Sequence, residues 1–143
     1  MAKVIAVNIS EEKGVVKHPI EKGFFKVNHG LEGDAHAGNW HRQVSFLGTE
    51  SIEKMNALGI MALNPGKFAE NITTEGMILY ELSVGTKLKI GEVTLEVTQI
   101  GKECHLGCEI RKMVGDCVMP REGIFAKVLC DGYIKAGDEI LVL

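Results

Sequence analysis

The sequence lacks any apolar run approaching the ~18 residues that a transmembrane helix needs, so it predicts no membrane span. It also lacks an excess of basic charge. Sixteen Lys and Arg stand against nineteen Asp and Glu, which argues against a broad nucleic-acid surface and leaves room only for a local basic pocket. Charged residues, at 24%, are too few for a disordered chain. The first eight residues are too short for a signal peptide, so we expect a globular protein.

Glycine is abundant, with 17 in 143 residues, and this predicts many turns joining short strands. The length suits one domain, which we expect to span 1–143. Apolar alternation predicts strands, including a hairpin over 84–97, and a hairpin turn at Asp131-Gly132. Helical spacing predicts helices at about 50–58 and 105–114. The remaining predicted strands are 4–9, one ending near 27, 44–47, 72–76, 78–82 and 123–129. The fold class expected is mainly β, a small barrel with two short helices.

All four cysteines lie in the last 40 residues, at Cys104, Cys108, Cys117 and Cys130. A secreted disulfide scaffold would spread its cysteines along a shorter chain, so we expect reduced thiols in the cytoplasm. Cys130 ends an apolar strand and is expected to be buried and inert.

Cys104 lies where a strand gives way to a predicted helix. The helix dipole and the nearby Lys102, His105 and Arg111 would favour a thiolate there, the form that transfers sulfur or ligates a soft metal. Cys108 is one helical turn further, so a metal site on Cys104, Cys108 and Cys117 is an alternative, although the spacing is not that of a familiar zinc site. The third interpretation is that these thiols are inert.

The glycine-rich loop 28–42 contains a polar cluster of Asp34, His36, His41 and Arg42. These side chains could ligate a metal, hydrogen-bond one another to shape the loop, or bind an anion through Arg42 and backbone N–H groups. The spacing favours the structural interpretation over metal binding. Glu70 and Asn71 form a second, weaker motif. Their side chains could orient a ligand, or the two residues could lie in a solvated turn.

Three motifs resemble the MOSC family, named for the C-terminal domain of molybdenum cofactor sulfurase. They are Gly33-Asp34-x-His36-x-Gly38-x-Trp40-His41-Arg42-Gln43-Val44, then Gly66-x-Phe68-x-Glu70-Asn71-Ile72, then Gln99 to Cys104 with Gly123-Ile124-Phe125-Ala126-x-Val128. The resemblance covers most of the chain. It implies a β-rich, barrel-like fold and an association with molybdenum cofactor (molybdopterin).

The resemblance also implies one working cysteine that carries sulfur or ligates metal. That role carries over to Cys104, although Lys102-Glu103-Cys104 stands where the family more usually has Arg-x-Pro-Cys, and Cys117 beside Met119-Pro120-Arg121 is the rival. Basic groups would anchor the pterin phosphate. The residues expected to bind the cofactor are Asp34, His36, His41, Arg42, Glu70, Asn71, Lys102 and Arg121.

The function expected is that of a sulfur carrier. A separate cysteine desulfurase, or another protein of molybdenum cofactor biosynthesis, would load Cys104 as a persulfide for delivery to a cofactor or metal–sulfur acceptor. The alternatives are a cofactor-binding reductase component acting on N-hydroxylated compounds, and a non-catalytic cofactor-binding module. The 143 residues leave no room for a pyridoxal-phosphate desulfurase domain or an electron-transfer domain, so partners would supply sulfur or electrons.

Overall fold

A computed structural model describes residues 2–12, 17–35, 37–56, 70–101 and 123–143. Within these ranges the chain is mainly β, as predicted, with one α-helix and one short 3-10 helix. The strands are β1 (Lys3–Ile9), β2 (His18–Ile20), β3 (Lys22–Lys26), β4 (Gly30–Leu31), β5 (Val44–Gly48), β6 (Ile72–Glu75), β7 (Lys87–Ile90), β8 (Val93–Ile100), β9 (Ile124–Cys130), β10 (Gly132–Lys135) and β11 (Ile140–Val142).

Eight strands form one sheet in the order β11-β7-β8-β9-β5-β6-β1-β2. Neighbouring strands are antiparallel except β5 and β6, which run parallel and bring Gly48 opposite Thr74. The predicted hairpin is confirmed as β7–β8, because Leu88 and Ile90 point inward while the alternating lysines stay exposed. A bridge from Lys3 to Glu139 brings the start of β1 towards β11, so the open sheet curls back on itself.

A second sheet of three strands, in the order β10-β3-β4, packs beside the first. Its existence corrects the predicted hairpin turn at Asp131-Gly132. β10 pairs with β3, about a hundred residues earlier in the chain, and not with the preceding β9. Asp131 Oδ1 instead accepts a 2.6 Å hydrogen bond from the backbone N–H of Val27, which ties the two sheets together at that corner.

The core lies between the sheets and is built of aliphatic side chains with two phenylalanines. The fully buried members with the largest side chains include Phe25, Phe46, Leu88, Leu95 and Ile124. Burial of each side chain of this size contributes roughly 1.5–3 kcal/mol to the stability of the fold. The strands that carry these side chains are therefore firmly held, and they position the loops at their ends. Cys130 is exposed at the end of β9, so its predicted burial is wrong.

The predicted helix after β5 is α1 (Thr49–Asn56), with Glu50 in its first turn. Residues 78–82 were predicted as a strand, but they contain the 3-10 helix Leu79–Glu81 with Leu79 as its buried residue. The predicted helix at 105–114 lies outside the described residues. In the part of the chain that the structure describes, no helix is long and apolar enough to cross a membrane.

Candidate functional site

Asp34 is the centre of a buried ion pair beneath the glycine-rich loop. Its Oδ1 accepts hydrogen bonds from Lys17 Nζ at 2.7 Å and from the backbone N–H of Ser10 at 3.0 Å. The side chains of Lys17 and Asp34 are 1% and 0% exposed. Lys17 Nζ also donates to Ser10 Oγ at 3.2 Å. Of the three interpretations of the polar cluster, these contacts favour for Asp34 the one in which hydrogen bonds shape the loop.

The environment of Asp34 favours its charged form. Burial by itself raises the pKa of a carboxyl group, but the hydrogen bonds from Lys17, Ser10 and Asn71, together with the Lys17 charge, outweigh that effect. The pKa of Asp34 is therefore lower than its ordinary value. A carboxylate held in this way stabilises the folded loop over the whole neutral range.

Asn71 directly precedes β6 and connects that strand to the neighbouring strand β5. Its Oδ1 accepts from the Ser45 N–H at 3.0 Å and from Ser45 Oγ at 3.1 Å, while its Nδ2 donates to the Asn8 carbonyl at 3.3 Å. Its backbone N–H donates to the Ser45 carbonyl at 2.9 Å. Asn71 is therefore a brace linking β1, β5 and β6, and it extends the network around Asp34.

Glu70 is fully buried, so the solvated-turn interpretation of this position is wrong. Thr73 Oγ1 donates to Glu70 Oε2 at 2.7 Å, and Asn8 Nδ2 donates in turn to Thr73 Oγ1 at 3.0 Å. The structure thus brings Asp34, Glu70 and Asn71 together in one buried polar network that also includes Asn8 and Thr73.

Arg42 lies elsewhere, half-buried just before β5, with its guanidinium against two aromatic rings. Its guanidinium carbon is 4.6 Å from the centre of the Trp40 ring and 5.6 Å from that of Phe125. Such stacking holds the guanidinium plane without using its N–H groups. Among the described residues Arg42 has no ion pair, and its buried Nε has no hydrogen-bond partner. The arrangement leaves a fixed, planar donor suited to a phosphate or carboxylate.

His41 connects this aromatic cluster to the end of β8. His41 Nε2 and Gln99 Oε1 are 2.9 Å apart, and Gln99 Nε2 donates to the Gly101 carbonyl at 2.7 Å. Because Gln99 uses its amide N–H there, its Oε1 is left to accept from His41 Nε2. Thr98 Oγ1 donates to the His41 carbonyl, which fixes the same loop from the other side.

The end of β8 is also where the cysteine-rich segment begins. The Gly101 N–H donates to the Gly123 carbonyl at 2.7 Å, so the two described residues on either side of segment 102–122 are hydrogen-bonded to each other next to Gln99. Six predicted positions, His36, Lys102, Cys104, Cys108, Cys117 and Arg121, lie outside the described residues. Within those that are described, no three His, Cys, Asp or Glu side chains are grouped to hold a metal.

Several residues of these two clusters were not singled out by sequence reasoning. Lys17 gave no signal, because its partner Asp34 is 17 residues away in the sequence. Ser45 and Asn8 sit inside apolar strands, where buried polar residues could have indicated a network. Phe125 was interpreted only as part of an apolar strand, although it supplies one of the two rings around Arg42.

Comparison with known proteins gives a family and a set of similar structures. The family model of the MOSC domain matches residues 33–141. No curated protein matches the sequence. The YuaD protein from Bacillus subtilis is similar in structure, with a TM-score of 0.81 and 21% identity over 98% of this chain and 94% of that one.

Two further solved structures share the fold. YiiM from Geobacillus stearothermophilus has a TM-score of 0.74 and 15% identity, covering 100% of this chain and 75% of that one. YiiM from Escherichia coli has a TM-score of 0.72 and 17% identity, covering 100% and 70% respectively. At these identities the likeness concerns the fold, which agrees with the mainly β architecture described above.

Proposed function

Because the chain belongs to the MOSC family, which is associated with molybdenum cofactor, we propose that it is a sulfur carrier whose working thiol is Cys104. The observation that supports this most is the end of β8. There the stacked Arg42, the His41–Gln99 pair and the hydrogen-bonded Gly101 and Gly123 are neighbours. Cys104 follows Gly101 by three residues, a stretch that spans at most about 11 Å.

The residues at this end of the sheet fit the phosphate of a pterin cofactor. Arg42 offers a guanidinium whose plane is set by Trp40 and Phe125 and whose charge has no carboxylate partner among the described residues. Lys102 follows Gly101 directly in the sequence and Arg121 precedes Gly123 by two residues, and both would add positive charge. When bound, the cofactor would supply the metal–sulfur acceptor of the transfer.

The chemical step proposed for Cys104 is a persulfide exchange. Its thiolate attacks the outer sulfur of a persulfide on a partner cysteine desulfurase, the bond between that sulfur and the donor cysteine breaks, and the donor leaves as a thiolate. A thiolate sulfur of the acceptor then attacks the outer sulfur, which becomes the outer sulfur of a new persulfide, and Cys104 leaves as a thiolate in its turn. No electrons are gained or lost overall. A reducing compartment is part of this proposal, because the thiol must stay free.

Loading of Cys104 with sulfur tests the proposal. After incubation with a cysteine desulfurase and cysteine, peptide mass spectrometry should find one added sulfur on Cys104. Cys104→Ser should abolish that adduct, whereas Cys117→Ser should leave it in place. An adduct found only on Cys117 would transfer the role to the rival thiol. Equal loading of the exposed Cys130 would show non-specific chemistry and contradict the proposal.

Arg42 is expected to contribute most to cofactor affinity among the described residues. Arg42→Gln should weaken the binding of isolated molybdopterin at least about tenfold, because a charge-assisted pair is worth roughly 1.5–3 kcal/mol. Arg42→Lys should recover only part of it, since an ammonium lacks the planar stack and the paired donors. Fluorescence titration of the pterin measures both.

The matched control is Lys22→Gln, which removes a cation stacked 4.8 Å above the Tyr133 ring on the three-strand sheet. Its affinity should equal that of the wild type. If Arg42→Gln and Lys22→Gln bind the pterin equally well, Arg42 does not anchor its phosphate.

A further inference from the structure

Trp40 is the only tryptophan in the chain, and it lies in the loop before β5, where it is 39% exposed. Tryptophan side chains are highly buried on average, because the indole is a large apolar group. The roles assigned above to Arg42 and His41 do not use the exposed part of this ring. An aromatic surface therefore remains in water beside a guanidinium that has no ion pair among the described residues.

Contacts with the side chains around it hold the indole in place. The Arg42 guanidinium carbon lies 4.6 Å from the centre of the Trp40 ring and 5.6 Å from that of Phe125. Phe125 is buried in β9, so Arg42 connects the exposed indole to the sheet. The His41 ring packs edge-on against the indole, with the ring centres 5.9 Å apart and the planes at 70°. Because the ring is already ordered, a ligand that stacks on it loses little affinity to ordering it.

The backbone of the loop is also fixed on both sides of Trp40. The Trp40 N–H donates to the Gly38 carbonyl at 2.9 Å, and the Gly38 N–H donates to the His29 carbonyl at 2.7 Å. On the other side, Thr98 Oγ1 donates to the His41 carbonyl. These bonds set the position of the indole relative to the strands, as a binding surface requires.

We propose that Trp40 and Arg42 together bind a planar heteroaromatic ring that carries a phosphate group. The exposed part of the indole would stack on the ring, and the Arg42 guanidinium would donate hydrogen bonds to the phosphate. A pterin phosphate and a nucleotide share this chemistry, because each ring has a π face on which an aromatic side chain can stack. This role for Trp40 rests on the proposed function, in which Arg42 binds the phosphate, and extends it to the ring.

The indole N–H of Trp40 tests the stack directly, since a chain with one tryptophan gives one indole signal in a proton–nitrogen NMR spectrum. Neopterin monophosphate and GMP each carry a ring and a phosphate, whereas ribose 5-phosphate carries the phosphate alone. The first two should move the indole signal saturably, well beyond any shift that ribose 5-phosphate causes. The tighter binder of the two identifies the source of the ring, and we expect it to be the pterin.

Calorimetric titration of variants measures how much the indole contributes. Trp40→Leu should weaken the binding of both ring compounds about fivefold or more beyond any change for ribose 5-phosphate, because stacking on an aromatic side chain contributes that much. Trp40→Phe keeps a ring and should recover part of the loss. Tyr133→Leu, which removes a 52% exposed ring with Lys22 Nζ 4.8 Å above it, is the matched control and should bind as the wild type does.

The stack is absent if neither ring compound binds more tightly than ribose 5-phosphate, or if Trp40→Leu weakens the ring compounds and ribose 5-phosphate equally. Equal weakening would mean that the indole acts only by positioning Arg42. None of these titrations involves Cys104, whose sulfur loading is measured without a pterin. Failure of the stack therefore does not decide the sulfur-carrier function, and an unloaded Cys104 does not decide the stack.

Discussion

Lys17→Met should reduce the free energy of unfolding by about 3–5 kcal/mol, the largest effect expected of any polar substitution in the described chain. The substitution preserves much of the side-chain volume but leaves the Asp34 carboxylate buried without its partner. Ser10 and Asn71 alone cannot replace the lost charge. Urea unfolding followed by circular dichroism measures the change as a lower midpoint with a similar slope.

Lys3→Met is the matched control for that experiment. Lys3 pairs with Glu75 at 3.8 Å, but both side chains are about half exposed, so water solvates whichever partner remains. Its loss should be under about 1 kcal/mol. If Lys17→Met and Lys3→Met destabilise the protein equally, the Lys17–Asp34 pair is not the buried, desolvated contact described above.

The pair also sets a pH dependence whose sign follows from the pKa of Asp34. That pKa is lower in the folded protein than in the unfolded chain, where it is about 3.9. The stabilisation from the carboxylate is therefore complete above about pH 4 and is lost as the pH falls through the lower, folded value. The difference in stability between wild type and Lys17→Met should accordingly shrink in strong acid.

Asn71→Ala should cost about 2–4 kcal/mol of unfolding free energy. It removes the acceptor of the Ser45 N–H and the donor to the Asn8 carbonyl, and each buried group left without a partner costs about 1–3 kcal/mol. Because these bonds join β1, β5 and β6, amide hydrogen exchange should speed up in β5 and β6 before it does in the β7–β8 hairpin.

Asn39→Ala controls for the loss of an asparagine side chain, since Asn39 is exposed in the loop before β5. Its unfolding free energy should lie within about 0.5 kcal/mol of the wild type. A similarly small change for Asn71→Ala would mean that Asn71 is not a brace between the strands.

Local alternation made the strands predictable where each strand pairs with its neighbour in sequence. The β7–β8 hairpin is the clearest case, because its inward aliphatic and outward charged residues follow a period of two. The same reasoning fails where partners are distant. Asp131-Gly132 is typical of a hairpin turn, yet β10 crosses to β3, and no local pattern records that pairing.

The sequence motifs predicted which residues belong to the candidate site, but they did not predict the hydrogen-bond and ion-pair partners of those residues. The motif residues Asp34 and Asn71 are in contact, and Asp34 also pairs with Lys17, a residue that no sequence pattern indicated. Arg42 was one candidate for binding an anion, and spacing alone could not predict that its guanidinium contacts the rings of Trp40 and Phe125. The burial of a site residue and the identity of its partner depend on contacts between strands that are distant in the sequence. The order of residues along the chain therefore does not reveal them.

The most direct test of the account is a parallel measurement of sulfur and molybdenum on wild-type protein and Cys104→Ser, both purified from a host competent in molybdenum cofactor synthesis. Peptide mass spectrometry gives the sulfur adduct, and elemental analysis gives the metal. The wild type should carry an added sulfur on Cys104, and the serine variant should carry none. Wild-type protein carrying neither a sulfur adduct nor molybdenum would contradict it.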